Sequence, residues 1–210
     1  MGKLFKLNNN IYRKRIQKTF RDKYGDVPKS NMKFSKEPEL LNLIDNDKYY
    51  GTVKTGQQKR KGGGFAAKLR YSIYNPDMAF FILDYYTKEN YHILDPFMGR
   101  GTRSQISLFL GRKYTGFDVC PKTIKINYNL TQKNGFTKNN NFRFFKSNGI
   151  ELQEVKNEKF DCVFSCPPYY DTDVYSGEKG YLSYLSVKQF NKDIKKMFLY
   201  IDNVQCLFIF

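Results

Sequence analysis

The sequence predicts an α/β protein built on a doubly wound, mostly parallel sheet. From residue 76 onward, short apolar segments alternate with longer segments that have the apolar spacing of helices. Strands that alternate with helices form parallel sheets, because each crossover helix returns the chain to the same edge of the sheet. The length of 210 residues is enough for one domain with a substantial buried core.

The elements follow one another in a regular order. Short apolar segments predict five strands at 92–95, 114–119, 141–147, 160–165 and 204–210. Longer periodic segments predict four helices at 76–86, 102–110, 121–134 and 186–200. Pro76 and Pro121 suit the first turn of a helix, and Gly135 suits the residue after a helix end. The strand at 160–165 is apolar throughout, so we expect it to be buried on both faces.

Residues 1–70 are predicted to form a basic N-terminal extension, and residues 71–210 the main domain. The chain has 36 Lys and Arg against 20 Asp and Glu, a net charge of +16. The extension holds 18 basic and 6 acidic residues, so 18 − 6 = +12 of this charge lies there. We expect helices at 11–23 and 39–44 and a basic, glycine-rich linker at 57–64. The excess favours a nucleic acid partner, and compositional drift toward Lys and Asn is the alternative.

The composition disfavours other protein classes. A hydrophobic fraction of 40% argues against disorder, and no apolar run approaches the length of a membrane span. Four cysteines without a CxxC pair are not a disulfide framework and favour a reducing compartment. We therefore expect an intracellular protein, in the cytoplasm or wherever its nucleic acid substrate resides.

The first candidate site is the turn DPFMGRGT, Asp95–Thr102, which follows a strand and starts a helix. Gly99 and Gly101 allow the backbone to approach a ligand, and a helix N-terminus presents unbonded N–H groups. A dinucleotide fingerprint requires a third glycine where Ser104 stands, which disfavours NAD.

The second candidate is Asp118, nineteen positions after Gly99 and at the end of the next strand. An acidic residue at this place can accept both ribose hydroxyls of an adenosine-containing cofactor. The alternative is an ordinary exposed carboxylate at a strand end.

The third candidate is the segment SCPPYY, Ser165–Tyr170, directly after the strand at 160–165. Two prolines stiffen the turn and fix the directions of its carbonyls, and Tyr169 offers a flat face. This combination suits an extruded base, whose amino group donates to the carbonyls while its ring stacks on the tyrosine. A rigid loop with a packing tyrosine is the alternative.

Together these motifs resemble those of the S-adenosylmethionine-dependent DNA amino-methyltransferases, which modify N6 of adenine or N4 of cytosine. DPFMGRGT is similar to motif I of that family, and Cys166–Tyr169 to its Asp/Asn/Ser-Pro-Pro-Tyr motif. The stretch Phe160–Ser176 most resembles phage and mobile-element members. The resemblance covers about residues 70–210 and implies a Rossmann-like class I methyltransferase fold.

The resemblance also implies ligands and site residues. It implies S-adenosylmethionine as cofactor, DNA as substrate, and no metal and no membrane partner. The implied cofactor-binding residues are Asp95, Pro96, Phe97, Gly99, Gly101, Thr102, Asp118 and Asn148. Within this set the ribose is assigned to Asp118 and the adenine to Asn148. The implied catalytic residues are Cys166, Pro167, Pro168 and Tyr169.

The chain departs from the family pattern in three ways. Cys166 replaces the usual polar residue, so the target amine would rely on backbone carbonyls or on Asp171. Asn148 stands where an acidic residue is usual. The chain stops at Phe210, inside the fifth predicted strand, whereas a complete fold of this class has seven. We therefore expect a C-terminally incomplete domain, whose last strands a separate chain could supply. The target-recognition region lies either within residues 1–70 or in the missing C-terminal part, which the separate chain would then provide.

Two alternative functions stay open on the sequence. A non-catalytic nucleic-acid-binding remnant would explain the incomplete sheet and Cys166. A methyltransferase that acts on RNA or on a protein glutamine would keep the same motifs.

Overall fold

The computed structural model describes residues 74–136, 141–167 and 185–201 and the backbone of residues 207–209. Nearer the N-terminus it describes only residues 14, 17, 18, 21–23, 25, 34, 40, 43 and 44. The strands are β1 His92–Asp95, β2 Lys113–Asp118, β3 Phe142–Lys146, β4 Cys162–Ser165 and β5 Leu207–Ile209. The helices are α1 Pro76–Tyr86, α2 Thr102–Phe109, α3 Pro121–Lys133 and α4 Val187–Tyr200, with a short 3-10 helix at Gln153–Val155.

The five strands form one parallel sheet in the order β3-β2-β1-β4-β5. This confirms the predicted α/β fold, and the bounds of α1–α4 and β1–β4 differ from the predicted ones by at most two residues. The chain runs outward from β1 to β3 and then returns to the other side of β1 for β4. The strand order therefore reverses between β1 and β4, where open α/β sheets form their ligand-binding crevice.

Helices cover both faces of the sheet. Tyr114 and Phe144 pack with residues of α1 and α2 on one face, whereas Phe117 and Phe145 pack near α4 on the other. Successive strand residues point to opposite faces, so both sides of each central strand bury apolar area. All four residues of β4 are buried, as its apolar sequence predicted.

Part of the segment predicted as an extension contributes to the core. Leu40 and Leu43 are buried among the apolar residues of the α1 and α2 side. The Asn134 side chain donates a 2.8 Å hydrogen bond to the Leu43 carbonyl, and the Leu40 amide donates to Asp77 at 3.3 Å. The boundary at residue 70 stays a prediction, but residues 40–44 include positions that dock on the sheet domain.

The two helices predicted within residues 1–70 have different outcomes. The α-helix predicted at 39–44 is wrong at its described positions, where residue 40 lies in a turn, residue 43 in a 3-10 helix and residue 44 in a bend. Residues 14, 17, 18 and 21–23 are helical, as predicted for 11–23. The basic linker at 57–64 lies outside the described residues. Within the described part, no helix has the length and apolar character needed to cross a membrane.

Candidate active site

The predicted motifs meet at the carboxyl ends of the strands. The Phe97 amide, in the turn after β1, donates to the Ser165 hydroxyl at the end of β4 over 3.2 Å. In the same turn, the Gly99 amide donates to the Asp118 carboxylate at the end of β2, also over 3.2 Å. Segments far apart in the chain thus form one site around the crevice beside β1.

The turn Asp95–Thr102, called the glycine turn below, requires both of its glycines. Gly99 and Gly101 have φ angles of 60° and 102°, in the left-handed region that side chains disfavour. A Cβ atom on Gly101 would lie 2.8 Å from the Leu130 side chain of α3. Gly101 also precedes α2 as its N-cap, and no side chain in the described part of the chain caps that helix. A helix start without a side-chain cap leaves its first amides able to donate to a ligand.

The loop after β3 packs directly on the glycine turn. A Cβ atom on Gly149 would lie 2.0 Å from the Pro96 carbonyl oxygen, so no larger residue fits there. This contact places the neighbouring Asn148, which is exposed, at the same edge as Asp118. Gly149 was not among the predicted site residues, although an Asn-Gly pair after a strand is a recognisable turn signal.

Asp95 is completely buried, and its carboxylate is fully used by the protein. It accepts from the Tyr114 and Ser165 hydroxyls at 2.6 Å each. It also accepts two N–H groups of Arg103, at 2.7 and 3.4 Å, and the Phe97 amide at 3.2 Å. A carboxylate has about four acceptor sites. No acceptor site is left for a ligand, so in this structure Asp95 orients neighbouring protein groups below the glycine turn.

Arg103 is the counterion that makes this burial possible. Besides Asp95, it donates to the Phe97 carbonyl at 2.6 Å, and its guanidinium lies 5.3 Å from the centre of the Tyr74 ring. Burial lowers the pKa of Arg103, but the adjacent Asp95 carboxylate more than offsets this, and the pKa is raised overall. Burial also raises the pKa of Tyr114, which therefore stays a neutral donor to Asp95.

Asp118 differs from Asp95 because the protein uses only part of its hydrogen-bond acceptor capacity. It is only partly buried, and among the described residues it accepts just the Gly99 amide and, at 2.8 Å, the Cys120 amide. About two of its acceptor sites therefore stay available. Burial raises the pKa of Asp118 to about 6, although the two amide hydrogen bonds oppose the shift. A carboxylate held partly desolvated, with acceptor capacity in reserve, is typical of a ligand-binding group.

Asn127 of α3 holds the glycine turn from the outside. It donates to the Gly99 carbonyl at 2.8 Å and accepts the Ser104 hydroxyl at 2.7 Å. Thr131, one turn further on, pairs with Gln105 at 3.0 Å. This buried polar contact between α2 and α3 was not predicted from the sequence. No local pattern marks this contact, because polar residues in a helix are usually exposed.

The structure describes the start of the third motif. Cys166 and Pro167 follow β4 directly and are partly exposed beside the glycine turn. Pro168 and Tyr169, like Asp171, lie outside the described residues. The roles assigned to the site residues on the resemblance stay predictions, but the described members of all three motifs lie at one edge of the sheet.

Comparison with known proteins identifies the family. An N6/N4 methyltransferase family model, described as DNA methylase, matches residues 5–129, which is more than half of the chain. The chain belongs to this DNA methylase family. The match includes the glycine turn and Asp118, and it ends before Cys166. It also extends over most of residues 1–70, so the similarity reaches further toward the N-terminus than the 70–210 stretch on which the resemblance was noted.

A curated relative supports the same family. The chain is 35% identical over 92 residues to the Type II methyltransferase M2.LlaDCHI of Lactococcus lactis subsp. cremoris. The matched region is 42% of this chain and 32% of the relative, so it spans about a third of that protein.

Solved structures resemble the chain only in part. An rRNA methylase from Streptococcus thermophilus is 15% identical with a TM-score of 0.44, covering 66% of this chain and 73% of that one. TrmN from Thermus thermophilus is 20% identical with a TM-score of 0.40, covering 45% and 29%. These overlaps are too partial to assign residues.

Proposed function

We propose that this protein transfers a methyl group from S-adenosylmethionine to the exocyclic amino group of adenine or cytosine in DNA. The observation that carries the proposal is the environment of Asp118. Its carboxylate is bonded to the glycine turn, and it retains about two acceptor sites for neighbouring hydroxyls. Membership of the DNA methylase family and the Type II relative support the choice of DNA.

The described residues fit the cofactor. Asp118 would accept the two ribose hydroxyls, and the exposed Asn148 would hydrogen-bond the adenine. Gly99 and Gly101 would let the methionine moiety lie close to the backbone. When bound, S-adenosylmethionine supplies a methyl group on a positively charged sulfur. Asp95 contributes from beneath, because it fixes the Phe97 amide that shapes the turn.

The segment after β4 would hold the target base. The carbonyls of Cys166 and Pro167 would accept the N–H groups of the exocyclic amine and so direct its lone pair. Stacking on Tyr169 would fix the plane of the extruded base. Neither role involves the Cys166 sulfur, which is a weak acceptor.

DNA binding is the second part of the proposal. The basic residues of the segment 1–70 would contact phosphates, which bind proteins without regard to sequence. We also propose that the target-recognition region lies outside the described residues, in the remainder of this segment or in a separate chain.

Cofactor binding is expected to depend on pH through Asp118. Its pKa is raised to about 6, so the carboxylate that accepts hydroxyls predominates only above that pH. Below it, each lost pH unit should weaken S-adenosylmethionine binding by about tenfold, the limit for one proton. Calorimetric titration on both sides of this pH measures the effect.

A histidine control separates this effect from another titration. Burial lowers the pKa of His92, the single histidine, which lies at the opposite end of β1. The pH dependence should persist in His92→Gln and disappear in Asp118→Asn. The reverse result would contradict the assignment of the dependence to Asp118.

Variants of the segment after β4 test methyl transfer itself. Stacking on an aromatic ring contributes about 1–3 kcal/mol per base, and the tyrosine hydroxyl adds little to it. Tyr169→Phe should therefore keep most activity, whereas Tyr169→Ala should lose about 5- to 150-fold in the rate of methyl transfer with cofactor affinity unchanged.

The thiol of Cys166 is expected to be dispensable. Cys166→Ala should keep most of the methyl-transfer rate, and Cys166→Asn should match or exceed the parent rate. Single-turnover transfer of a labelled methyl group to DNA measures both.

The same assay with three different substrates tests which kind of molecule receives the methyl group. DNA, RNA and a glutamine-containing peptide are compared at equal concentration, with the cofactor in excess. Labelling of RNA or peptide in preference to DNA would contradict the proposed substrate. A folded chain that binds S-adenosylmethionine but labels none of the three would favour the non-catalytic alternative.

A further inference from the structure

We propose that the Ser165 hydroxyl is a positioning group that couples the cofactor side of the site to the target-base side. This inference rests on the proposed function. Ser165 ends β4, is completely buried, and immediately precedes Cys166. Its hydroxyl donates to Asp95 at 2.6 Å and accepts the Phe97 amide at 3.2 Å. One side chain therefore joins the glycine turn to the segment that holds the base.

The hydroxyl acts where the backbone ladder between the two strands stops. β1 pairs with β4 through Ile93 with Cys162 and Leu94 with Val163. Beyond these pairs, the ends of the two strands are joined through the side chains of Asp95 and Ser165. A movement of one strand end is thus transmitted to the other through side-chain hydrogen bonds instead of through the backbone hydrogen bonds of the sheet.

The other partners of Asp95 make this joint stiff. Arg103 and Tyr114 hold the second carboxylate oxygen at 2.7 and 2.6 Å, so the carboxylate has little freedom to reorient. When a ligand shifts the Phe97 amide, the Ser165 hydroxyl must adjust with it. Cys166 and Pro167, the next residues, would then change position relative to the target base.

Coupling of this kind is measurable as a ratio of affinities. Binding of one ligand changes the affinity of the other by the same factor in both directions, commonly about 5- to 150-fold. We expect the parent chain to bind S-adenosylhomocysteine more tightly in the presence of a short DNA duplex of mixed sequence. The duplex should bind more tightly, by the same factor, in the presence of S-adenosylhomocysteine.

Ser165→Ala should reduce this factor to near one while each ligand alone binds almost as before. A matched control is Ser107→Ala, which also removes a buried hydroxyl, one that donates to the Arg103 carbonyl at 2.7 Å within α2. The control should keep the parent coupling factor. A merely structural role for Ser165 would make the two variants alike, with a lower melting temperature and unchanged coupling.

A second variant covers the case in which Ser165→Ala does not fold. Ser165→Cys is close in shape, but its thiol is a weak donor and acceptor, so it too should lose most of the coupling. Unchanged coupling in whichever variant folds would overturn the proposal. So would a parent chain that binds both ligands independently, and the proposed function would then stand. A folded parent chain that binds neither ligand would overturn both.

Discussion

Replacing Asp118 by asparagine is expected to weaken S-adenosylmethionine binding by about a hundredfold or more at mildly alkaline pH. The carboxylate has acceptor sites for two hydroxyls in addition to the Gly99 and Cys120 amides. A hydrogen bond to a charged group contributes about 1.5–3 kcal/mol, so two of them amount to at least about a hundredfold in affinity. Asparagine offers one acceptor oxygen, which the amides already require.

Calorimetry with the purified chain measures this loss, and a surface carboxylate is the control. Glu154 is exposed on the 3-10 helix, so Glu154→Gln removes a charge without touching the site. It should bind S-adenosylmethionine as the parent does. Parent affinity in a folded Asp118→Asn chain would show that the ribose lies elsewhere and would remove the main support for the proposed function.

Replacing Arg103 by methionine is expected to destabilise the fold by about 3–5 kcal/mol, because it leaves the Asp95 carboxylate buried without its counterion. Total stabilities of domains are about 5–15 kcal/mol, so the variant should lose a large share of its free energy of unfolding. Urea denaturation followed by circular dichroism measures the change. Both members of the pair are almost fully excluded from solvent, so added salt screens their attraction little. The loss of stability should therefore be nearly the same at low and high salt concentration.

A double variant shows whether the buried charge is the cause. In Arg103→Met with Asp95→Asn, no uncompensated charge remains, and part of the lost stability should return. The exposed pair of Lys196 and Glu151 is the control, and Lys196→Met should change the unfolding midpoint very little. A double variant as unstable as Arg103→Met alone would mean that lost packing against Tyr74, and not the charge, explains the effect.

The two aspartates show how far sequence motifs go. Asp95 and Asp118 both stand at strand ends before a turn, and the family resemblance assigns both to the cofactor. In the structure the two carboxylates differ in how many of their acceptor sites the protein already uses. The donors to Asp95 lie 2 to 70 positions away in the sequence, and together they occupy its acceptor sites. Only Asp118 keeps sites for a ligand. Sequence spacing does not reveal which donors surround a carboxylate.

The same limit explains the residues that the sequence analysis missed. Arg103 and Asn127 act through partners on other elements, and neither is marked by local spacing. Ser165 belongs to the third motif, but its hydrogen bond to Asp95, 70 positions away, is not visible in the sequence. A polar residue in a helix is usually exposed. Here all eight residues of α2 are buried, and the structure alone reveals their partners.

Local sequence patterns were sufficient to predict the parallel α/β fold, the bounds of α1–α4 and β1–β4 to within two residues, and the turn Asp95–Thr102 after β1. These features follow from local apolar periodicity and from glycine and proline positions, which act over a few residues. The tertiary fold sets which side chains lie under the glycine turn and which face the crevice. It also brought Leu40 and Leu43 into the core. The reason is that hydrogen-bond partners and burial depend on contacts between residues that are distant in the chain.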